Sequence, residues 1–276
     1  MIKRAVMSYW TEPCRSMPWL GWNNAQDHCL AWQMSSHLLR RHFDDVVLVT
    51  DDFGQEYLKP LDLPFTTVRL DLNDLDPALA PYWSLGKLKA YSIQDKPFVH
   101  VDTDAFMFKP LPERVLNAPL CVQLPEKFSR GKPPGFYRLD EMLAKVKLPA
   151  NVRRVATRRI QYAACCGLYG GNDLATIRAH YDLVQECLRV DASGWASLDS
   201  FVALLIMEQW MLGVVIQDRR TFVEYLYPTC SGPRGMLDAM QEDTVGFVHL
   251  WAERKRNSVN VQRVFDKFCS TTRFLP

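Results

Sequence analysis

The sequence predicts an α/β fold with a mostly parallel central sheet flanked by helices. Strand and helix patterns alternate through the first half of the chain. The strand segments are short, apolar and rich in β-branched residues, as strands covered on both faces are. The chain has 276 residues, 48% of them apolar and 23% charged, which suits one large globular domain or one domain with a sizeable insertion.

The elements follow in order. Ala5–Tyr9 reads as the first strand. The N-terminus starts basic but has no long apolar core, so it reads as this strand and not as a signal peptide. Asn23–Arg41 is helical, with Ala25, Cys29, Leu30, Ala31, Met34, Leu38 and Leu39 recurring at helical spacing. Val46–Thr50 is a buried strand ending at Asp51-Asp52, and Phe65–Leu70 is a third. Leu85–Ile93 is a helix feeding a strand at Phe98–Val101. Residues 125–160 look different. Lys127, Arg130, Lys132, Arg138, Lys145, Lys147, Arg153, Arg154, Arg158 and Arg159 face few acids there, and Pro133-Pro134-Gly135 interrupts the run. This reads as a basic insertion or lid, suited to an anionic or membrane-associated acceptor. Apolar order returns at Tyr162–Gly171, and Asn172 or Asp173 then caps a helix running to about Leu188. Asp199–Trp210 is another helix, Val214–Gln217 and Thr244–Trp251 are further strands, and Ser258–Cys269 is a closing amphipathic helix.

Composition excludes some classes. A formal net charge of +2 does not suit a nucleic-acid binder. No stretch approaches the roughly 20 uninterrupted apolar residues of a transmembrane helix. The eight cysteines form no CxxC pair and no zinc spacing, and most lie in apolar segments. A reducing, cytoplasmic setting is expected, with Cys165-Cys166 a buried pair rather than a catalytic one.

The chemistry concentrates at Phe98-Val99-His100-Val101-Asp102-Thr103-Asp104. In an extended chain, residues i and i+2 share a face, so Asp102 and Asp104 aim two carboxylates into one volume. Two like charges that close call for a cation. By the same argument, removing one acid leaves the metal-free fold no less stable. Carboxylates suit Mg2+ or Mn2+, which bridge protein acids to phosphates. The strand's C-terminal edge is where open α/β sheets bind ligands.

A late strand ends in His249-Leu250-Trp251-Ala252-Glu253-Arg254-Lys255. With the Asp102-x-Asp104 strand, and a small-residue strand leading into a capped helix, the chain resembles GT-A glycosyltransferases. Closest in pattern are the retaining enzymes related to glycogenin and the bacterial lipopolysaccharide galactosyltransferases. Those carry a late His-Phe-x-Gly-x-x-Lys. Here His249 and Lys255 keep the separation, and Ala252 replaces the glycine.

The resemblance implies a single GT-A catalytic domain using Mn2+ or Mg2+ and a nucleotide sugar, UDP-linked by preference. Asp104 and His249 would ligate the metal, and Asp102 would either join them or hold ribose and water. Lys255 would contact the diphosphate as the sugar–phosphate bond breaks. Tyr9 and Trp10 would stack on the base, and Asp51 or Asp52 would read the base edge or ribose. Related enzymes place a basic residue one helix before the metal strand, here Lys87 or Lys89, with Lys89 preferred. Glu208-Gln209 resembles their Asp-Gln segment beside the sugar, so Glu208 would position the sugar or act as base. Two alternatives remain, an aspartate-based phosphohydrolase and a non-catalytic binding module of the same fold. The first class wants Thr or Val two positions beyond the second aspartate, where Phe106 stands.

Overall fold

A computed structural model describes residues 1–131, 136–228 and 246–272. In chain order the strands and helices are β1 (Arg4–Tyr9), α1 (Ala25–His42), β2 (Asp45–Thr50), α2 (Asp52–Leu58), β3 (Thr67–Arg69), α3 (Ser84–Ser92), β4 (Phe98–Val101) and β5 (Ala105–Met107). Then come α4 (Glu113–Leu116), β6 (Leu120–Ser129), α5 (Leu139–Lys145), α6 (Ala150–Ala156), β7 (Ile160–Gly171), α7 (Leu174–Val190) and α8 (Ala192–Ala196). Last are α9 (Ser200–Leu205), α10 (Met211–Arg219), β8 (Val223–Tyr225), β9 (Phe247–His249) and α11 (Ser258–Thr272).

Seven strands form one sheet in the order β3-β2-β1-β4-β7-β6-β8, and β5 pairs with β9 in a separate ribbon. β7 is antiparallel to both its neighbours, and the other pairings in the large sheet are parallel. The expected α/β fold with a mostly parallel sheet is therefore present. Side chains alternate across it as a pleated strand requires. Val6, Val47, Val49 and Phe98 join the core under α3, α7, α9 and α10. Ala5, Met7, Val46, Leu48, Val99 and Val101 join the core under α1.

Caps place the helices. The Asn24 side chain accepts from the Asp27 amide at α1, and Asp173 accepts from the Thr176 amide at α7. Two sequence expectations change. Val214–Gln217 is not a strand but part of α10. The run from Ser200 to Arg219 is one helix in three parts, with a π-helical turn at Ile206–Trp210 between α9 and α10. It is apolar nearly all round because it is buried nearly all round, so helical periodicity vanishes and the β-branched Val214-Val215-Ile216 reads as strand. This helix is also long and apolar enough to cross a membrane, although 67% of its most apolar window is buried inside the protein.

The segment read as an insertion begins in β6 and ends in β7, which pair along most of their length. Leu139, Met142, Val146, Val152, Val155 and Ala156 between them belong to the larger core. Arg153, Arg154, Arg158 and Arg159 are exposed. Of the Thr244–Trp251 expectation, Phe247–His249 is strand, while Thr244 and Val245 lie outside the described residues.

Candidate metal centre

The order of the large sheet reverses between β1 and β4, with β2 and β3 on one side and the later strands on the other. Ligands of open α/β sheets bind beyond the carboxyl ends of strands at such a point. Asp102 follows β4 directly.

Asp102 and Asp104 do not share an extended strand. They occupy a turn between β4 and β5, where the Ala105 amide donates to the Asp102 carbonyl at 3.0 Å. The two carboxylates still converge, through pairing rather than pleat. β5 runs antiparallel to β9 with Ala105 opposite His249, and the Leu250 amide donates to the Asp104 carbonyl at 2.8 Å. This ribbon carries His249 to the turn. Ligand atoms of Asp102, Asp104 and His249 all lie within 4.8 Å of one another.

The imidazole is held from behind. His249 Nδ1 lies 2.8 Å from Gln123 Oε1, an oxygen that can only accept, so the ring N–H sits on Nδ1 and Nε2 faces the carboxylates. Nε2 is 3.2 Å from Asp104 Oδ1 and 3.9 Å from Asp102 Oδ2. Gly167 of β7 makes the space. A Cβ there would stand 2.3 Å from Gln123 Oε1 and from His249 Nδ1 and Cε1. Two carboxylates and an imidazole whose Nε2 gives up its proton on binding suit a divalent cation of the Mg2+ or Mn2+ kind.

Cations of the chain already neutralise these acids. Lys255 Nζ is 2.9 Å from Asp104 Oδ2, and Lys87 Nζ is 2.8 Å from Asp102 Oδ1. Lys87 also pairs with Glu208 Oε1. Burial would raise the Asp104 carboxyl, but Lys255 and His249 outweigh it and hold it far below the usual carboxylate range. Burial would lower His249, and Asp104 instead raises it to about 10. Burial would lower Lys87 too, yet Asp102 and Glu208 keep it charged, above its ordinary value. Burial raises Glu208, against the pull of Lys87. The like-charge expectation is thus corrected. Removing one acid strands a lysine or the imidazole and destabilises the metal-free fold.

Lys87, not the preferred Lys89, reaches the site. Lys87 is 8% exposed and shares a face of α3 with Tyr91, one turn on, whose hydroxyl is 3.5 Å from Glu208 Oε1. Lys89, two residues from Lys87, is rotated about 200° around the helix. Glu208 is 2% exposed and lies on the π-helical turn, a local widening frequent at functional sites. Beneath Asp102, His100 Nε2 is 2.9 Å from Ser8 Oγ and Nδ1 is 3.7 Å from Asp102 Oδ1. Burial and Lys87 hold His100 neutral.

Of the residues expected to bind the nucleoside, Tyr9, Trp10 and Asp51 are buried and have partners within the fold. Tyr9 is buried with its ring 5.3 Å from Trp32, 5.8 Å from His28 and 5.9 Å from Tyr57. Trp10 packs in the main core, where a Cβ on Gly86 would meet it at 2.8 Å. Asp51 caps α2: it accepts from the Gly54 amide at 2.7 Å, and from the Thr11 amide and hydroxyl at 2.7 and 2.9 Å. Asp52 is exposed. Sequence reasoning missed Gln123 and Gly167. Gln123 carried a signal, a lone polar residue in the apolar run Cys121–Leu124. The cysteines at 14, 29, 121, 165, 166 and 187 are free thiols, and Cys165 Sγ is 3.5 Å from Gln123 Oε1.

No curated protein matches the chain. A family of unknown function, DUF6734, matches residues 3–271, almost the whole length, and the chain belongs to that family.

Proposed function

We propose that this chain is a metal-dependent glycosyltransferase of the GT-A kind, moving a sugar from a nucleotide-sugar donor, UDP-linked by preference, to an acceptor. The observation that carries the reading is the Asp102–Asp104–His249 group at the sheet's switch point, with Lys255 beside Asp104. A nucleoside diphosphate leaving group is anionic, and Asp102, Asp104 and His249 would hold a divalent cation that would supply positive charge beside it.

The chain's own residues divide the remaining work. Lys255 releases Asp104 and contacts the diphosphate. Lys87 fixes Asp102 and Glu208, which leaves Glu208 to orient the sugar rather than to act as a free base. Gln123 keeps Nε2 of His249 available. The exposed arginines Arg153, Arg154, Arg158 and Arg159 favour an anionic or membrane-associated acceptor.

A thermal-shift panel of nucleoside diphosphates with and without Mn2+ tests the reading, since binding to the native state raises apparent stability by mass action. UDP should stabilise the protein in the presence of Mn2+ only. Sugar-nucleotide hydrolysis with Mn2+ should follow, which a pure binding module lacks. Stabilisation by inorganic phosphate with phosphomonoester turnover, and no response to UDP, would favour the phosphohydrolase instead.

A further inference from the structure

A further carboxyl, Glu126, lies on β6 beside β7, the strand that passes under His249. Gly167 and Cys165 of β7 point to one side, being two residues apart, and both touch Gln123 or its surroundings. Ala163, two residues further, points the same way and stands opposite Glu126 of β6, while Cys165 stands opposite Leu124. Glu126 thus stands in register four residues along β7 from Gly167, which lies under His249. It is half-buried, as are Cys165 and Gln209, so these residues reach solvent.

Glu126 ends a short hydrogen-bonded chain. Tyr137 Oη is 2.5 Å from Glu126 Oε2 and 2.8 Å from Gln209 Oε1. Gln209 follows Glu208 on the π-helical turn, so that turn presents one side chain to Lys87 and the next to Tyr137. A phenol has one proton and here faces two acceptor oxygens. When Glu126 is ionised, Tyr137 donates to it. When Glu126 carries a proton, it donates to Tyr137, and Tyr137 donates to Gln209. Every donor has a partner in both states, which lets the carboxyl gain a proton without leaving a buried group unsatisfied.

We propose that Glu126 is the proton-accepting group of this site, with Tyr137 and Gln209 as its positioning residues. The inference rests on the glycosyltransferase reading. The hydroxyl oxygen of the acceptor bonds to the anomeric carbon, and its proton passes to the Glu126 carboxylate. The bond from that carbon to the diphosphate breaks, and the electron pair leaves with the phosphate oxygen. Glu208 is a poorer candidate, because Lys87 already holds its carboxylate.

The surroundings agree. Burial raises the Glu126 carboxyl above its ordinary range, against the Tyr137 hydrogen bond that lowers it. A carboxyl raised toward neutrality is a better base at working pH. Tyr137 is the polar group bonded to it, Gln209, Cys165 and Cys166 lie near Tyr137 in turn, and no ion pair joins a lysine or arginine to Glu126 among the described residues. The adjacent Lys127 turns to the Tyr162 ring, 5.8 Å away.

The test uses Glu126→Gln, which keeps the size, and Tyr137→Phe, in the full chain. The probes are Mn2+ alone and the hydrolysis of UDP-glucose and UDP-galactose with Mn2+, where water is the acceptor. In the parent, kcat/KM should rise with pH along one limb. Glu126→Gln should lower it about 100-fold or more and abolish the limb, with Mn2+ affinity unchanged. Tyr137→Phe should move the limb without removing it. A Glu126→Gln variant with the parent's rate and limb overturns the base role and leaves the glycosyltransferase reading standing. Loss of Mn2+ affinity together with rate, the limb persisting, overturns it as well, because the residue is then structural. If the parent binds Mn2+ but hydrolyses neither donor, the glycosyltransferase reading falls, and the base role falls with it.

Discussion

Replacing Gly167 with alanine adds one methyl group at the point where β7 passes beneath the metal centre. An ideal Cβ there would lie 2.3 Å from Gln123 Oε1, His249 Nδ1 and His249 Cε1, far inside van der Waals contact. The backbone itself tolerates alanine, since Gly167 is not among the left-handed glycines. The clash must therefore be relieved by moving Gln123 or His249. Gln123 is fully buried and His249 is 5% exposed, between the ribbon and the sheet, so neither has open space to enter. Overpacking of this kind costs about 1–3 kcal/mol of stability. The functional cost is separate. Parting Gln123 from His249 removes the acceptor that keeps the ring N–H on Nδ1, and loss of such an outer partner lowers metal affinity by about 10–100-fold. Mn2+ titration by calorimetry, with urea unfolding in parallel, reads both effects. Gln123→Ala should match the loss of affinity without the overpacking. If Gly167→Ala binds Mn2+ with the parent's affinity, His249 is not a ligand held by Gln123, and the reasoning fails.

Asp104→Asn should abolish Mn2+-dependent stabilisation by UDP, and it should lower the melting temperature of the metal-free protein because Lys255 and His249 lose their anion; an unchanged or higher melting temperature contradicts this. Lys87→Met leaves the buried Glu208 and the half-buried Asp102 without their cation and should cost about 3–5 kcal/mol in urea unfolding, a loss that the double variant with Glu208→Gln partly restores. His28 and His180 are fully buried, and burial, joined at His28 by Lys255, holds each at about 4, below the ordinary 6.5. The unfolded chain therefore takes up protons first on acidification, so stability present above pH 6.5 is lost between 6.5 and 4, by about 2 kcal/mol per histidine at pH 5. Melting curves of His180→Gln should show a shallower loss over that window, and identical slopes would count against it. Ala252 has φ +50, a left-handed conformation that costs a non-glycine residue roughly 1–2 kcal/mol; Ala252→Gly should raise stability by about 0.5–1 kcal/mol, and a fall would show the methyl group to be packed.

Elements with a clean period were legible. The helix expected at Asn23–Arg41 is α1, because it has one environment per face, and the strand expected at Phe98–Val101 is β4, legible as a short apolar run too brief for a helix. Legibility failed where burial erased the period. The helix from Ser200 to Arg219 is surrounded by core, so nothing in its sequence separates β-branched residues in a helix from a strand. The same cause misplaced the lysine of α3. Leu85, Leu88, Ala90 and Tyr91 are all buried, so the helix has no polar face from which to judge whether Lys87 or Lys89 turns inward. Asp51 carries two signals at once. A carboxylate at the end of a strand suits a ligand, but Asp51 with Gly54 three residues on also has the spacing of a helix cap, and the structure uses it so.

At the candidate site the two acids converge, though not by the geometry the sequence suggests. Asp102 and Asp104 were expected to meet because a strand repeats every two residues. They converge instead because a turn divides them between two sheets. Asp102 continues the α3-facing row of β4, after Phe98 and His100, and so meets Lys87 and Glu208. Asp104 leads into the β5–β9 ribbon and so meets His249 and Lys255. One acid is thus tied to the rigid sheet and the other to a late segment of the chain, and both reach His249. Ala252 takes a left-handed turn that glycine adopts more easily, which keeps Lys255 within 2.9 Å of Asp104. What the local sequence preserves is the path of the backbone between two functional side chains, at an energetic cost to the residue that bends it.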